Sequence, residues 1–103
     1  MTILDEILRE EYDRLERGIN LIREELAGLP KGYISEKKIG SGTYYYLQKR
    51  EKNKIVSKHI KKDELEPYQT LIQHRKNLDH KIKELKFEQE KIAAALKKAK
   101  DNE

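Results

Sequence analysis

Apolar side chains recur along this chain in two different rhythms. From Leu8 they fall at Tyr12, Leu15, Ile19, Ile22, Leu26 and Leu29, in alternating steps of four and three. The same steps return from Tyr68 through Leu71, Leu78, Ile82, Leu85, Ile92 and Leu96 to Ala99. Between them, Tyr33 to Ile60 loses the rhythm and reads as short β-rich runs separated by Gly or Asn turns. A mean spacing of about 3.5 residues keeps one stripe of a helix turned toward a partner helix. The pattern therefore predicts an α+β fold: an antiparallel coiled-coil helical hairpin with a small three-stranded antiparallel β-meander inserted between the helices. We read residues 1–103 as a single domain, with helix 1 in 1–28, the meander in 31–62 and helix 2 in 63–101.

Local signals set the expected ends of these elements. Thr2 is the N-cap of helix 1, and Asp5 and Glu6 complement the helix dipole in its first turn. Gly28 is expected as a left-handed stop, followed by Pro30, which cannot continue the helix. Gly18 either permits a close approach of helix 2 or is simply tolerated, at about 1 kcal/mol against Ala. Three strands are expected at Tyr33–Ile39, Thr43–Arg50 and Lys54–Ile60, turning at Gly40-Ser41-Gly42 and Glu51-Lys52-Asn53-Lys54. The second hairpin pairs Arg50 with Ile55, Gln48 with Ser57 and Tyr46 with His59. Alternation then puts Tyr45, Leu47, Lys49, Val56, Lys58 and Ile60 on one face, and Tyr44, Tyr46, Gln48, Arg50, Ile55, Ser57 and His59 on the other. The first face holds most of the aliphatic residues and is expected to be packed. The Gly40–Gly42 turn can close in two ways, so the register of strand 1 stays open by one residue.

Helix 2 is expected to start between Asp63 and Pro67, where Asp63-x-x-Glu66 has the character of a capping box. It would run about 55 Å against about 38 Å for helix 1, leaving roughly ten residues at its end without a partner. Arg75 and Gln89 interrupt its stripe; such polar positions set register, and a side chain as long as Arg75 can reach outward to water.

Composition adds bounds on function. Hydrophobic residues make up 36% and charged residues 41%, a balance that suits long helices burying few positions per turn. There is no cysteine, which rules out disulfides and thiolate metal sites. The start, Met1-Thr2-Ile3-Leu4-Asp5-Glu6, has no basic segment and no long apolar stretch, so no signal peptide is expected. No apolar run approaches the roughly 20 residues that cross a bilayer, and a cytoplasmic protein without a membrane partner is expected. The net charge of +4 conceals an asymmetry: residues 1–30 carry −4, residues 31–62 carry +8 and residues 63–103 balance to zero. All of the positive excess lies on the meander, where it attracts a polyanion or an acidic protein surface.

Candidate chemistry is sparse. Lys38-Ile39-Gly40-Ser41-Gly42-Thr43-Tyr44 looks like the opening of a protein-kinase glycine-rich hairpin, with Ile55-Val56-Ser57-Lys58 as its lysine strand. The third glycine of that loop is replaced by Tyr45, and the 45 residues after Lys58 hold neither His-Arg-Asp nor Asp-Phe-Gly, so an ordinary turn is expected. His59, His74 and His80 lack metal-ligand spacing; His80 with Glu84 is the nearest approach to a weak ion site. No nucleophile or carboxylate pair sits in a catalytic setting. No enzyme, no cofactor and no metal are expected.

The run Tyr44-Tyr45-Tyr46 has two readings. Tyrosine favours half-buried strands, and alternate members can merely cover both faces of a thin sheet. Alternatively Tyr44 and Tyr46, beside Gln48, Arg50, Ser57 and His59, form an aromatic, hydrogen-bonding and basic platform of the kind that stacks on bases and pairs phosphates. The candidate binding residues are therefore Lys37, Lys38, Tyr44, Tyr46, Gln48, Lys49, Arg50, Lys52, Lys54, Ser57, Lys58 and His59. The partner would be DNA or RNA, bound by a small non-enzymatic accessory protein. The other possibility is an acidic protein surface, met by an interaction module or a mobile-element-encoded inhibitor of a nucleic-acid-processing complex, similar in role to anti-CRISPR proteins.

Leu29-Pro30-Lys31-Gly32, Tyr44-Tyr45-Tyr46-Leu47-Gln48-Lys49-Arg50 and Ile55-Val56-Ser57-Lys58-His59-Ile60 together resemble a group of small bacterial and archaeal proteins of unknown function. Those proteins place a Tyr-Tyr-Leu-x-x-Arg hairpin between two charged helices. The resemblance implies the architecture and no activity. A looser architectural likeness is to the three-stranded arm-binding domains of phage-type integrases, which lay a sheet in the DNA major groove. Finally, the stripe Ile92, Ala95, Leu96 and Ala99, with Ile3, Ile7, Leu21 and Ile72 as outer apolar positions, predicts a homodimer built as a four-helix arrangement.

Overall fold

A computed structural model describes residues 2–101 of the chain. The elements are α1 (Ile3–Ala27), β1 (Tyr33–Ile39), β2 (Gly42–Glu51), β3 (Lys54–Ile60) and α2 (Lys62–Asp101). The fold is α+β, with an antiparallel sheet of order β1-β2-β3 lying between the two helices in the chain. The chain divides into two compact units, one of Met1–Gly28 with Leu78–Glu103 and the other of Leu29–Asn77.

The helical unit follows its hydrophobic stripe. Leu15, Ile19 and Leu26 are buried on α1, with Leu8, Tyr12 and Ile22 half-buried beside them. On the facing part of α2, Ile82 and Gln89 are buried and Leu78, Leu85, Ile92, Leu96 and Ala99 half-buried. Gln89 reaches Tyr12 and Glu16, while Leu85 lies opposite Gly18, so numbers rise on one helix as they fall on the other and the two run antiparallel. At its start α1 carries a full capping box: the Asp5 amide donates to Thr2 Oγ1 at 3.1 Å, and the Thr2 amide donates back to Asp5 Oδ2 at 3.3 Å.

Two expectations fail in this unit. Gly28 is not left-handed: its φ of −91° and ψ of −1° continue a right-handed turn, and its amide donates to Glu25 O at 3.1 Å. The helix closes by tightening to a 3₁₀ turn at Gly28, and Pro30 disfavours a helical conformation at the residue before it, so the helix ends without a left-handed residue. Nor does α2 overhang α1 by ten residues. Residues 62–77 of α2 belong to the sheet unit, so only 78–101 lie beside the 25 residues of α1.

The sheet unit has its own core. Leu47, Ile60 and Ile72 are buried together, with Ile34, Tyr45, Leu65 and Tyr68 packed around them. Tyr45, Leu47 and Ile60 belong to the face expected to be packed. Ile72 was expected as an outer position; it lies instead in this core, 7% exposed, because Leu65, Tyr68 and Ile72 form a separate stripe from the one that continues down α2. Arg75 does not reach outward: it is half-buried, and Nη1 donates to Leu29 O at 3.3 Å. α2 begins at Lys62, one residue before the earliest expected start, with the Glu64 amide donating to Lys61 O at 2.9 Å. Pro67 therefore falls in the second turn of α2.

The β2–β3 hairpin has the expected register, Tyr46 with His59, Gln48 with Ser57 and Arg50 with Ile55. Its two-residue loop takes positive φ at Lys52 (45°) and Asn53 (68°), the requirement of a type I′ turn. β2 extends one residue beyond expectation at each end, to Gly42 and Glu51. The open register of β1 closes as Ile39 with Gly42, Lys37 with Tyr44 and Ser35 with Tyr46. The loop is Gly40-Ser41, with positive φ (61°) at Gly40 alone, the pattern of a type II′ turn.

Candidate functional site

With both registers fixed, alternation assigns every strand residue to a face. Ile34, Tyr45, Leu47 and Ile60 point into the core, so the opposite, open face carries Tyr33, Ser35, Lys37 and Ile39 from β1, Tyr44, Tyr46, Gln48 and Arg50 from β2, and Ile55, Ser57 and His59 from β3. These residues form rows across the strands: Lys37 beside Tyr44, then Ser35, Tyr46 and His59, then Tyr33, Gln48 and Ser57, then Arg50 with Ile55.

The centre of this face is an aromatic cluster. The rings of Tyr46 and His59 meet edge to face with centroids 5.6 Å apart, and His59 lies 6.3 Å from Tyr44 at a tilt of 50°. Lys37 Nζ sits 5.0 Å above the Tyr46 ring, a cation–π contact. The Tyr44 ring lies over Gly42, so that a Cβ there would come within 3.1 Å of it, yet the residue remains 42% exposed. Gln48 Nε2 donates to Ser57 Oγ at 3.3 Å across the β2–β3 pair. Beside Tyr46, Ser35 Oγ is covered and makes no hydrogen bond. Both carboxylates of the sheet, Glu36 and Glu51, lie on the other side, leaving Lys37 and Arg50 as the formal charges of the open face.

Of the twelve candidate residues, Lys37, Tyr44, Tyr46, Gln48, Arg50, Ser57 and His59 share the open face. Lys38, Lys49, Lys54 and Lys58 lie on the opposite side, and Lys52 is in the β2–β3 loop. Two of the lysines on that side are engaged. Lys49 Nζ pairs with Glu51 at 2.8 Å. Lys58 Nζ donates to the Tyr68 hydroxyl at 3.0 Å and lies 5.6 Å from the ring centroid. That hydrogen bond raises the Lys58 pKa above lysine's ordinary range. Tyr33 is the open-face aromatic that sequence reasoning missed; it becomes visible only once the β1 register is known.

Elsewhere, His80 Nε2 pairs with Glu84 Oε1 at 3.0 Å on an exposed turn of α2. Among the described residues no three His, Cys, Asp or Glu side chains gather closely enough to hold a metal ion. No helix among them is long and apolar enough to cross a membrane.

The open face is held by one contiguous stretch. A family model described as a domain of unknown function, DUF6788, matches residues 8–70, and the chain belongs to that family. The match spans most of α1, the whole sheet and the first turns of α2, hence every candidate residue. No curated protein and no solved structure matches the chain.

Proposed function

We propose that this chain is a non-enzymatic accessory protein that binds nucleic acid through the open face of its sheet. The observation that carries this reading is the clustering of Tyr44, Tyr46 and His59 beside Lys37 and Arg50 on a face that bears no carboxylate. Aromatic faces stack on bases, and the cations pair with phosphates. The division of the lysines between two sides lowers the number of phosphates one strand of nucleic acid can meet. Lys37, Arg50 and Lys52 are the cations on or bordering the open face, and about three contacts give a log–log salt slope near −3 for duplex DNA or −2 for a single strand. Fluorescence anisotropy with labelled duplex and single strands, at several salt concentrations, tests the proposal. Binding tighter than about 100 μM at low salt with such a slope supports it, and absence of binding to either removes it, since even non-specific binders reach that range. A double variant, Lys37→Glu with Arg50→Glu, is expected to abolish binding.

The lysines on the other side support a second reading, an interaction module or inhibitor that docks on an acidic protein surface. Lys38 and Lys54 lie where a ligand on the open face does not reach. A partner that is retained from lysate after nuclease treatment, and lost on Lys38→Glu with Lys54→Glu, favours this alternative. In either reading, α1 and residues 78–101 of α2 form an antiparallel coiled coil that mediates pairing of two chains.

A further inference from the structure

Resting on the nucleic-acid reading above, we infer that the open face takes single-stranded nucleic acid, with its bases unstacked onto the sheet, in preference to a duplex. Rows on one face of a strand are two residues apart, about 6.8 Å at 3.4 Å per residue. Nucleotides of a stacked strand rise by only about 3.4 Å. Aromatic rings occupy three successive rows, first Tyr44, then Tyr46 with His59, then Tyr33. An extended strand can therefore set one base against each row, whereas a stacked strand passes two bases per row and turns their ring faces to each other rather than to the sheet. Tyr33 and Tyr44 are 53% and 42% exposed, so each has ring surface free for a base. Tyr46 is half-buried beneath Lys37 and edge-on to His59, which makes it the support of the platform.

A duplex offers this face little. Its bases cover one another's rings and present only edges in the grooves, where hydrogen-bonding side chains read them. Of the amide and aliphatic hydroxyl groups on the open face, Gln48 and Ser57 bond to each other and Ser35 Oγ is covered. With three cations on or near it, the face also lacks the charge for tight duplex binding through phosphates alone. Stacking supplies what charge does not, and it needs unpaired bases.

The test is anisotropy with the full chain and one mixed sequence presented as single-stranded DNA, single-stranded RNA and duplex DNA. At least one single strand is expected to bind about ten-fold or more tighter than the duplex, and which one does so assigns the sugar preference. Tyr44→Ala and Tyr33→Ala are each expected to weaken single-strand binding by about five-fold or more while the salt slope is unchanged, and Tyr44→Phe to retain it. The wild-type chain provides a measurement independent of any variant's folding. It contains six tyrosines and no tryptophan, so stacking is read directly as quenching of tyrosine emission on adding the single strand. Duplex binding as tight as single-strand binding, or single-strand binding without quenching, overturns the inference and leaves the nucleic-acid reading intact. Failure of all three ligands to bind removes both.

Discussion

Two glycines show how much a single position decides. Gly32 has a φ of 111°, and a Cβ there would clash with the backbone oxygen of Gln48. That oxygen belongs to β2 and cannot swing aside as a flexible side chain would. Gly32→Ala therefore combines an unfavourable backbone conformation with a backbone clash, and thermal melts should show a loss of at least about 2 kcal/mol. Gly18 is the opposite case. A Cβ at this helical position would meet Leu85 Cδ1 at 3.7 Å, an ordinary contact, so the close approach of the two helices does not require glycine. Gly18→Ala should raise stability by about 0.5–1 kcal/mol through helix propensity and a less flexible unfolded chain, read as a higher Tm.

At the scale of elements, the helical unit turns on Gln89, a polar residue only 7% exposed. Its side-chain amide donates to Glu16 Oε2 at 2.8 Å and to Tyr12 O at 3.3 Å, which ties one turn of α2 to one turn of α1. Leucine would fill the same stripe with apolar surface but has no reason to select that turn. Gln89→Leu should raise the Tm while broadening the amide NMR resonances of α1, as alternative helix registers become populated. Much of the element structure was legible in the chain. The stripe from Leu8 to Leu26 is the buried side of α1, and alternation with the Lys52-Asn53 turn located β3 and its partners. Three features were not legible. A two-glycine turn closes in more than one way, so the face of Tyr33 and Lys37 depended on a register that local sequence does not encode. α2 carries two stripes, Leu65-Tyr68-Ile72 for the sheet and Leu78-Ile82-Leu85 for α1, and a single unbroken rhythm drawn through Leu71 and Arg75 hides the change between them. That same change removed the expected overhang, because the first turns of α2 cover the sheet. For the site, the sequence marked the right hairpin, but adjacent lysines such as Lys37 and Lys38 alternate in direction, so a cluster in sequence became two opposed sets of cations.

For the whole molecule, the apolar surface open to a second chain keeps Ile3, Ile7 and Leu21 of the expected outer positions and loses Ile72. Ile72 is committed to the sheet core, whereas Ile3, Leu4 and Ile7 at the start of α1 are exposed, at 78%, 63% and 55%. If pairing of two chains uses this patch, light scattering at micromolar concentration gives twice the 12.3 kDa of one chain, and Ile7→Lys returns the single-chain mass. A single-chain mass for the unaltered protein rejects the pair. Binding does not depend on that outcome, since each chain carries a complete open face. On the nucleic-acid reading the open face, rather than the lysine-bearing opposite side, meets the ligand. Amide and side-chain NMR shifts during titration with a single-stranded oligonucleotide test this most directly. Lys37, Tyr44, Ser57 and His59 should shift together while Lys38, Lys49, Lys54 and both helices stay in place; shifts confined to Lys38, Lys49, Lys54 and Lys58 would place the ligand on the opposite side instead.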